Sequence, residues 1–278
     1  MTTQHPVPKL ITFDGEARSG KGTVVQAVKD YLRDECGYSV MLIDAGQVFR
    51  VLVVAAMRSG VSLDIPSEID TFLRDPQQAH TCVEMVKSVY HMPKDERDAL
   101  LYTNEVGANS AKVGARPLSQ DFKDSLLKKW MKDAAVEGYD VVLLDGRALE
   151  ETGAMLVSHG LCELDVGLYF VCDAEMGARR TLGLASKTYQ ELREFEKIEV
   201  DTLMRQIEVR NHADRVRTVQ PVKPPEQAQH WLLPNSIDYK ASSQTTPVFY
   251  TVDTSADMSK AAMTQPVCRF LGSYLREK

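Results

Sequence analysis

Short apolar runs alternate along the chain with longer stretches in which apolar residues recur every three or four positions. Each run is apolar along nearly its whole length and is bounded by polar residues or glycine, a pattern typical of a buried β-strand. The runs occupy residues 10–13, 39–44, 140–145, 167–172 and 247–253. Because buried strands that alternate with helices form parallel sheets, we predict an α/β fold with a parallel sheet covered by helices on both faces.

The periodic stretches predict the helices that cover this sheet. The first begins after Gly20 and places its apolar residues Val24, Val25, Val28 and Leu32 on one face. Two further helices are predicted at residues 46–57 and from a cap at Ser119 to Gly138. Residues 61–117 are mostly polar with weaker helical signals, and "TFLRDPQQAH" and "VYHMPKDERD" are interpreted as turns. Residues 220–247, rich in proline, glutamine and serine, are predicted to form a long surface insertion.

Composition narrows the classes of function. The 278 residues carry a formal net charge of −6, which argues against nucleic-acid binding because such proteins usually show a basic surface. The five cysteines and six histidines show no metal-ligand spacing, so we expect reduced thiols and ordinary histidines. No apolar stretch has the length of a membrane span. We therefore expect a cytoplasmic, monomeric protein whose partners are small molecules, with no nucleic acid or membrane among them.

A glycine-rich loop follows the first strand. Gly15 is followed, after four residues, by Gly20 and Lys21, and the first helix starts there. In this layout successive backbone N–H groups and the helix dipole point at one spot, and the lysine adds a full positive charge. Glycines keep the cradle open and permit its backbone conformation. The loop predicts binding of a nucleoside triphosphate.

One residue after the loop lysine, Gly22 separates Lys21 from Thr23, and Lys-Gly-Thr is the variant seen in nucleoside monophosphate (NMP) kinases. Further segments follow in a characteristic order, and with the loop they are "ITFDGEARSGKGT", "LIDAGQVFR", "NEVGANSAKVGARP", "VVLLDGR", "DVGLYFVCDAEMGARR" and "IEVRNHADRVRTVQP". In this order the segments resemble the cytidylate kinase family. The resemblance implies a P-loop NTPase-type fold, ATP and Mg²⁺ as cofactors, and CMP or dCMP as the phosphoryl acceptor.

The resemblance also implies how a single kinase domain of residues 1–278 is divided. The core would comprise residues 1–60, 139–182 and 248–278. A mobile NMP-binding region would cover 61–138, a mobile lid 183–217, and the surface insertion 218–247.

The expected reaction brings together two polyanions, ATP and the acceptor monophosphate. The acceptor phosphate, with a second pKa of about 6, is largely ionised at neutral pH, so no general base is needed. The enzyme must instead position the substrates and neutralise their charge with Arg, Lys and a carboxylate for Mg²⁺. Lys21 would bind the ATP phosphates, and Asp145, together with Thr23, would hold Mg²⁺. Asp145 could equally be a solvated carboxylate at the end of a strand, with no role in binding Mg²⁺.

The resemblance assigns the remaining site residues by position. Catalytic roles fall on Lys21, Asp145, Arg147 and Arg210. The predicted ATP site consists of Gly15, Ser19, Gly20, Lys21, Gly22, Thr23, Arg179 and Arg180. The predicted acceptor site consists of Arg50, Arg147, Arg210, Asp214, Arg217, Ser110 and Gln120. From spacing alone, Arg210, Asp214 and Arg217 share one helical stripe and could equally form a solvated salt bridge, and the other arginines could be surface residues.

Several positions depart from the family pattern. Arg18 replaces a loop glycine, Ala45 replaces a Ser or Thr, and Ala148 stands where the family has the second Asp of its DGRD motif. Ala111 and Gln120 occupy positions where the family reads cytosine with serine and arginine, although a shift of one residue would restore Ser110. Two alternatives therefore stay open: a kinase for another nucleotide or phosphorylated metabolite, and a non-catalytic ATP-binding sensor or scaffold.

Overall fold

The computed structural model describes residues 6–237 and 247–277. They form an open parallel sheet of six strands in the order β2-β3-β1-β4-β6-β5. The strands are β1 Lys9–Gly15, β2 Val40–Asp44, β3 Val141–Asp145, β4 Glu163–Val171, β5 Gln229–Leu232 and β6 Val248–Asp253. The central strand β1 pairs with β3 on one side and β4 on the other, with Phe13 opposite Asp145. The predicted α/β fold is confirmed, and it brings the ends of β1 and β3 side by side.

Eleven α-helices and one short 3-10 helix at Tyr189–Glu191 lie within the described residues. The α-helices are α1 Lys21–Asp34, α2 Ala45–Arg58, α3 Pro66–Arg74, α4 Pro76–Tyr90, α5 Lys94–Leu101, α6 Asn104–Gly114, α7 Pro117–Glu137, α8 Leu149–Ser158, α9 Ala174–Thr181, α10 Glu194–Val216 and α11 Lys260–Arg276. The breaks before α4 and α5 lie within the two segments interpreted as turns, but most residues of both segments are helical. In the part of the chain that the structure describes, no helix is both long and apolar enough to cross a membrane.

The chain divides into two compact units. The first comprises residues up to 43, residues 131–216 and residues from 221 onward, and it holds the sheet. Its main core lies between the sheet and helices α1 and α11, where Ile11, Phe13 and Val24 are fully buried. Burying such apolar side chains is the main driving force for this arrangement.

The second unit comprises residues 44–130 and 217–220. Its core forms where the apolar faces of α2 to α7 meet, around Val48, Val51 and Leu101. Helix α2 therefore belongs to the second unit, although the sequence places it in the core region of residues 1–60.

Two predicted boundaries are wrong. Helix α7 begins at Pro117, so Ser119 lies inside the helix and is fully buried instead of capping it. Proline suits the first position of a helix because its φ is already helical and its missing N–H would have no partner there. Helix α10 ends at Val216, so Arg217 follows the helix and does not share a helical stripe with Arg210 and Asp214.

The prediction of a surface insertion at residues 220–247 is wrong for its centre. Residues Gln229–Leu232 form β5, which pairs in parallel with β6 at the edge of the sheet. Trp231 is buried, and its ring packs edge-on against Tyr250 and Phe270 at centroid distances of 5.7 and 5.3 Å. The segment "HWLL", apolar after its histidine, was the sequence signal for this strand. Residues 238–246 of the predicted insertion lie outside the described residues.

Candidate active site

The phosphate loop joins β1 to α1 with the backbone that its glycines permit. Gly15 has a φ of +133° and Gly20, at the start of α1, a φ of +80°. A Cβ atom on Gly15 would lie 2.2 Å from the carbonyl oxygen of Phe170, and one on Gly20 would lie 2.9 Å from the sulfur of Met263. The backbone contact at Gly15 leaves no room for a side chain. At Gly20 the Met263 side chain could move, and it is the positive φ that favours glycine.

Arg18 adopts the conformation that a glycine would have at the same place in the loop. Its φ is +60°, in the left-handed region, and its side chain is exposed. The arginine that replaces the loop glycine is thus accommodated with its side chain directed outward. A Cβ on Gly177 of α9 would lie 3.1 Å from the carbonyl oxygen of Arg18, so this helix packs directly on the loop.

Two residues that sequence reasoning missed hold the phosphate loop in place. Asn211 on α10 accepts a hydrogen bond of 2.8 Å from the backbone N–H of Ala17. The hydroxyl of Thr254, after β6, donates to the carbonyl oxygen of Ser19 at 2.8 Å. Asn211 lies next to the predicted Arg210, which was a weak signal, whereas nothing in the sequence marked Thr254.

Lys21 and Asp145, two of the predicted catalytic residues, lie next to each other. The Lys21 ammonium forms an ion pair with the Asp145 carboxylate and donates a hydrogen bond of 3.0 Å to the carbonyl oxygen of Gly146. Their side chains are 15% and 18% exposed. Because Asp145 ends β3 beside the loop after β1, the pair sits where phosphates and a cation would be held.

The donor set fits Mg²⁺ bound together with phosphates better than a site built from protein ligands alone. Within the described residues, no three His, Cys, Asp or Glu side chains form a possible metal cluster. Mg²⁺ is commonly held by one or two carboxylates, water and substrate phosphates. Asp145 offers one carboxylate of this kind, and Thr23 offers a half-buried hydroxyl in the first turn of α1.

Arg147, Arg210 and Asp214 form a second charged cluster. Asp214 is 4% exposed and forms an ion pair with Arg147, while the Nε atom of Arg210 lies 3.9 Å from the same carboxylate oxygen. Arg147 comes from the turn after β3, and the other two residues lie one helical turn apart on α10. Three of the predicted acceptor-site residues are thereby brought together.

The other predicted arginines of the first unit make structural hydrogen bonds. The Nε atom of Arg179 lies 3.1 Å from Oε1 of Glu175, and the Arg179 guanidinium group also donates to the carbonyl oxygen of Lys187. Arg180 donates to the carbonyl oxygens of Thr254 and Ala256, both at 2.7 Å. In this structure both guanidinium groups tie α9 to neighbouring backbone, and their contact with ATP stays a prediction.

In the second unit, Arg50 is held by two neighbours at the end of α5. It donates to the carbonyl oxygen of Leu101 at 2.9 Å, and its guanidinium carbon lies 4.5 Å from the ring centroid of Tyr102. The Tyr102 hydroxyl donates to Asp44 at 2.8 Å, and burial together with this carboxylate raises the pKa of Tyr102. Sequence reasoning missed Tyr102. Arg217, also in this unit, donates to the carbonyl oxygen of Gln220 at 2.6 Å.

The two predicted base-reading residues are engaged differently. Ser110 donates to the carbonyl oxygen of Gly107 within α6 at 2.8 Å. Gln120 is 5% exposed and donates from its amide nitrogen to the carbonyl oxygen of Gly114. Its amide oxygen is buried and has no hydrogen-bond partner within the described residues. A buried acceptor without a partner typically costs about 1–3 kcal/mol, so its retention calls for an explanation.

Comparisons with known proteins agree with one another. The sequence profile of a family described as cytidylate kinase matches residues 11–231. The cytidylate kinase of Aeromonas hydrophila is 28% identical over 221 residues, which cover 79% of this chain and 84% of the relative. That of Photobacterium profundum is 27% identical, with 90% of this chain and 95% of the relative covered. That of Shewanella pealeana is 29% identical, with 82% and 87% covered. The profile match includes the phosphate loop and both charged clusters.

Proposed function

The chain belongs to the cytidylate kinase family and is an ATP-dependent phosphotransferase, and we propose that it transfers the γ-phosphoryl group of ATP to CMP or dCMP. The observation that carries this proposal is the pair of charged clusters at the two ends of one short turn. Asp145 pairs with Lys21, and Arg147, two residues later, pairs with Asp214. A turn this short keeps a triphosphate-binding group and an acceptor-binding group within the reach of one phosphoryl transfer.

Lys21 serves the donor side of the reaction. Backbone N–H groups at the start of α1 and the Lys21 ammonium bind the ATP phosphates, and Lys21 exchanges its Asp145 partner for phosphate oxygens. Asp145 is then available to hold Mg²⁺, which neutralises phosphate charge when it is bound with ATP. A Cβ on Gly22 would meet no atom of the described residues within 4 Å, so internal packing does not require this glycine. A nucleotide lying against that face supplies a reason for it.

Arg147 and Arg210 serve the acceptor side. Asp214 orients both guanidinium groups through its single carboxylate. Guanidinium groups recognise phosphate through several N–H donors in a fixed geometry, which suits an acceptor that already carries a phosphate. No side chain has to remove a proton, because the acceptor phosphate is ionised at neutral pH. For Arg50 and Arg217, contact with the acceptor stays a prediction from the family resemblance.

Gln120 supports an acceptor base with an exocyclic amino group. Its buried amide oxygen, without a partner within the described residues, is an acceptor that such an amino group would satisfy. Cytosine carries an amino group of this kind, and uracil and thymine do not. Adenine and guanine carry one too, and family membership favours cytosine over both; dCMP fits the same argument as CMP.

A panel of acceptors tests the proposal. ATP is incubated with each common ribo- and deoxyribonucleoside monophosphate while ADP release is followed, with the Lys21→Ala variant as the inactive control. Lys29→Ala, on the same helix but beyond the loop, is the matched variant that should keep full activity. We expect CMP and dCMP to turn over faster than all other acceptors. Preference for another acceptor would show a changed specificity, and ATP binding without turnover of any acceptor would favour the sensor alternative.

A further inference from the structure

Helix α8 begins at a residue that cannot cap it. Ala148, its N-cap, has φ +56° and ψ +49°, in the left-handed region, and it makes no side-chain cap hydrogen bond. Alanine in this conformation costs about 1 kcal/mol relative to glycine. The N–H of Leu149, the first residue of the helix, is instead satisfied by a carboxylate oxygen of Asp14 on β1, at 2.7 Å.

The other carboxylate oxygen of Asp14 accepts a hydrogen bond of 2.6 Å from the N–H of Gly15, where the phosphate loop begins. One residue earlier, the carbonyl oxygen of Phe13 accepts the N–H of Gly146 at 3.1 Å. The turn that contains Asp145 and Arg147 is therefore fastened to β1 on both sides, at Gly146 and at Leu149. Lys21 reaches this turn from the end of the phosphate loop, and Asp14 joins the turn to the beginning of the loop.

We propose that Asp14 is a positioning residue that fixes the turn of Asp145 and Arg147 against the phosphate loop. This inference rests on the proposed function, because it concerns the placement of groups that act in phosphoryl transfer. Each oxygen of the carboxylate serves a different segment, so only a side chain with two acceptor oxygens fastens both. An asparagine at position 14 has one acceptor oxygen and can satisfy one of the two N–H groups.

Burial of Asp14 disfavours the charged form of its carboxyl group. The side chain is 7% exposed, and burial raises the pKa of its carboxyl group, with the two N–H bonds and the charges of Lys21 and Arg147 opposing that shift. A carboxylate whose pKa is raised by burial costs folding free energy in its ionised form. Groups held at such a cost are found preferentially at functional sites.

The first experiment compares Asp14→Asn with the wild type in kcat and melting temperature. Asp75→Asn is the matched control, because Asp75 also accepts two backbone N–H bonds, at the start of α4, which carries no site residue. We expect Asp14→Asn to lower kcat about 10- to 100-fold with little loss of melting temperature, since small misplacements of reacting groups have effects of this size. An unchanged kcat would overturn the inference.

A double variant separates positioning from stability, and it also serves if Asp14→Asn alone folds poorly. Ala148→Gly relieves the left-handed residue and should offset whatever melting temperature Asp14→Asn loses. We expect kcat to stay low in the double variant, because the second fastening of the turn is still missing. Recovery of kcat together with the melting temperature would reduce Asp14 to a structural residue and overturn the inference.

Amide hydrogen exchange gives a readout that needs no turnover. The Leu149 and Gly15 amides should exchange slowly in the wild type, and at least one of them should exchange faster in Asp14→Asn. Unchanged exchange at both amides would contradict the proposed role of Asp14 in fixing the turn. If the wild type turned over no acceptor while these amides exchanged faster in Asp14→Asn, the proposed kinase function would fail and the positioning role of Asp14 would stand.

Discussion

The side-chain oxygen of Asn211 accepts a hydrogen bond of 2.8 Å from the backbone N–H of Ala17. The first residue lies on α10 between Arg210 and Asp214, and the second lies in the phosphate loop. Asn211 is 6% exposed, so water cannot readily replace the bond. The helix that carries the acceptor-side cluster is thus tied to the loop that is proposed to bind ATP.

Replacing Asn211 with leucine should weaken ATP binding as well as stability. The buried N–H of Ala17 would lose its acceptor, which typically costs about 1–3 kcal/mol. We expect the free energy of unfolding to fall by about this amount, and kcat/KM for ATP to fall about 10-fold as the loop shifts. Thr264→Val is the matched control, because it also removes a largely buried side-chain hydrogen bond, of 3.0 Å to Lys260 on α11. Equal losses of kcat/KM in both variants would show that stability alone is responsible.

Replacing Asp214 with asparagine should affect the acceptor more than ATP. The variant removes the charge that orients Arg147 and Arg210, so we expect kcat/KM for the acceptor to fall by about 10- to 100-fold. The dissociation constant of ATP, measured without acceptor, should change little. Asp201→Asn on the same helix, whose carboxylate accepts the Tyr189 hydroxyl at 2.9 Å, should retain activity. A loss confined to ATP binding would place Asp214 on the donor side.

Tyr102 should influence the acceptor KM through Arg50. Tyr102→Phe keeps the ring beside the guanidinium group but loses the hydrogen bond to Asp44, and Tyr102→Leu loses both. A cation–π contact at a partly exposed site is worth about 0.5–1 kcal/mol, so we expect the leucine variant to raise the acceptor KM about 2- to 5-fold over the phenylalanine variant. Identical KM values in the wild type and both variants would remove Arg50 and Tyr102 from acceptor binding.

Glu196 should make stability depend on pH. It accepts hydrogen bonds from the Arg193 side chain, the Lys187 ammonium and the Arg193 backbone N–H, each at 2.8 Å, and these lower its pKa from 4.5 to about 2. A lowered folded-state pKa means that the stabilisation is complete above pH 4.5 and is lost as the pH falls towards 2. The difference in melting temperature between wild type and Glu196→Gln should therefore be largest near neutral pH and shrink on acidification. Glu199→Gln, at an exposed position of α10, should show no such trend.

The sequence predicts those parts of the fold that depend on local patterns. The buried strands and the phosphate loop follow from apolar runs and motif spacing. Asp145 lies near the loop because parallel strands bring their carboxyl ends to one edge. Trp231 escaped prediction because its partners Tyr250 and Phe270 are remote in sequence, and a short strand surrounded by prolines gives a weak signal.

The residues that support the site were hard to predict because their partners are backbone groups. Asp14, Asn211 and Thr254 act on backbone groups of the phosphate loop or the turn after β3, and any residue type can supply a backbone N–H or carbonyl. No sequence pattern therefore marks the backbone group that each of these side chains bonds. Motif reasoning finds groups that meet a ligand, whereas the groups that hold the loop become visible only in the fold.

Transfer of a radioactive label from [γ-³²P]ATP tests the central claim most directly, because it separates phosphoryl transfer from simple ATP hydrolysis. The protein is incubated with labelled ATP and CMP, and the products are separated and counted. We expect label in CDP for the wild type and for Lys29→Ala, and loss of that label in Lys21→Ala. Label found only in inorganic phosphate, or in no product with any nucleoside monophosphate, would contradict it.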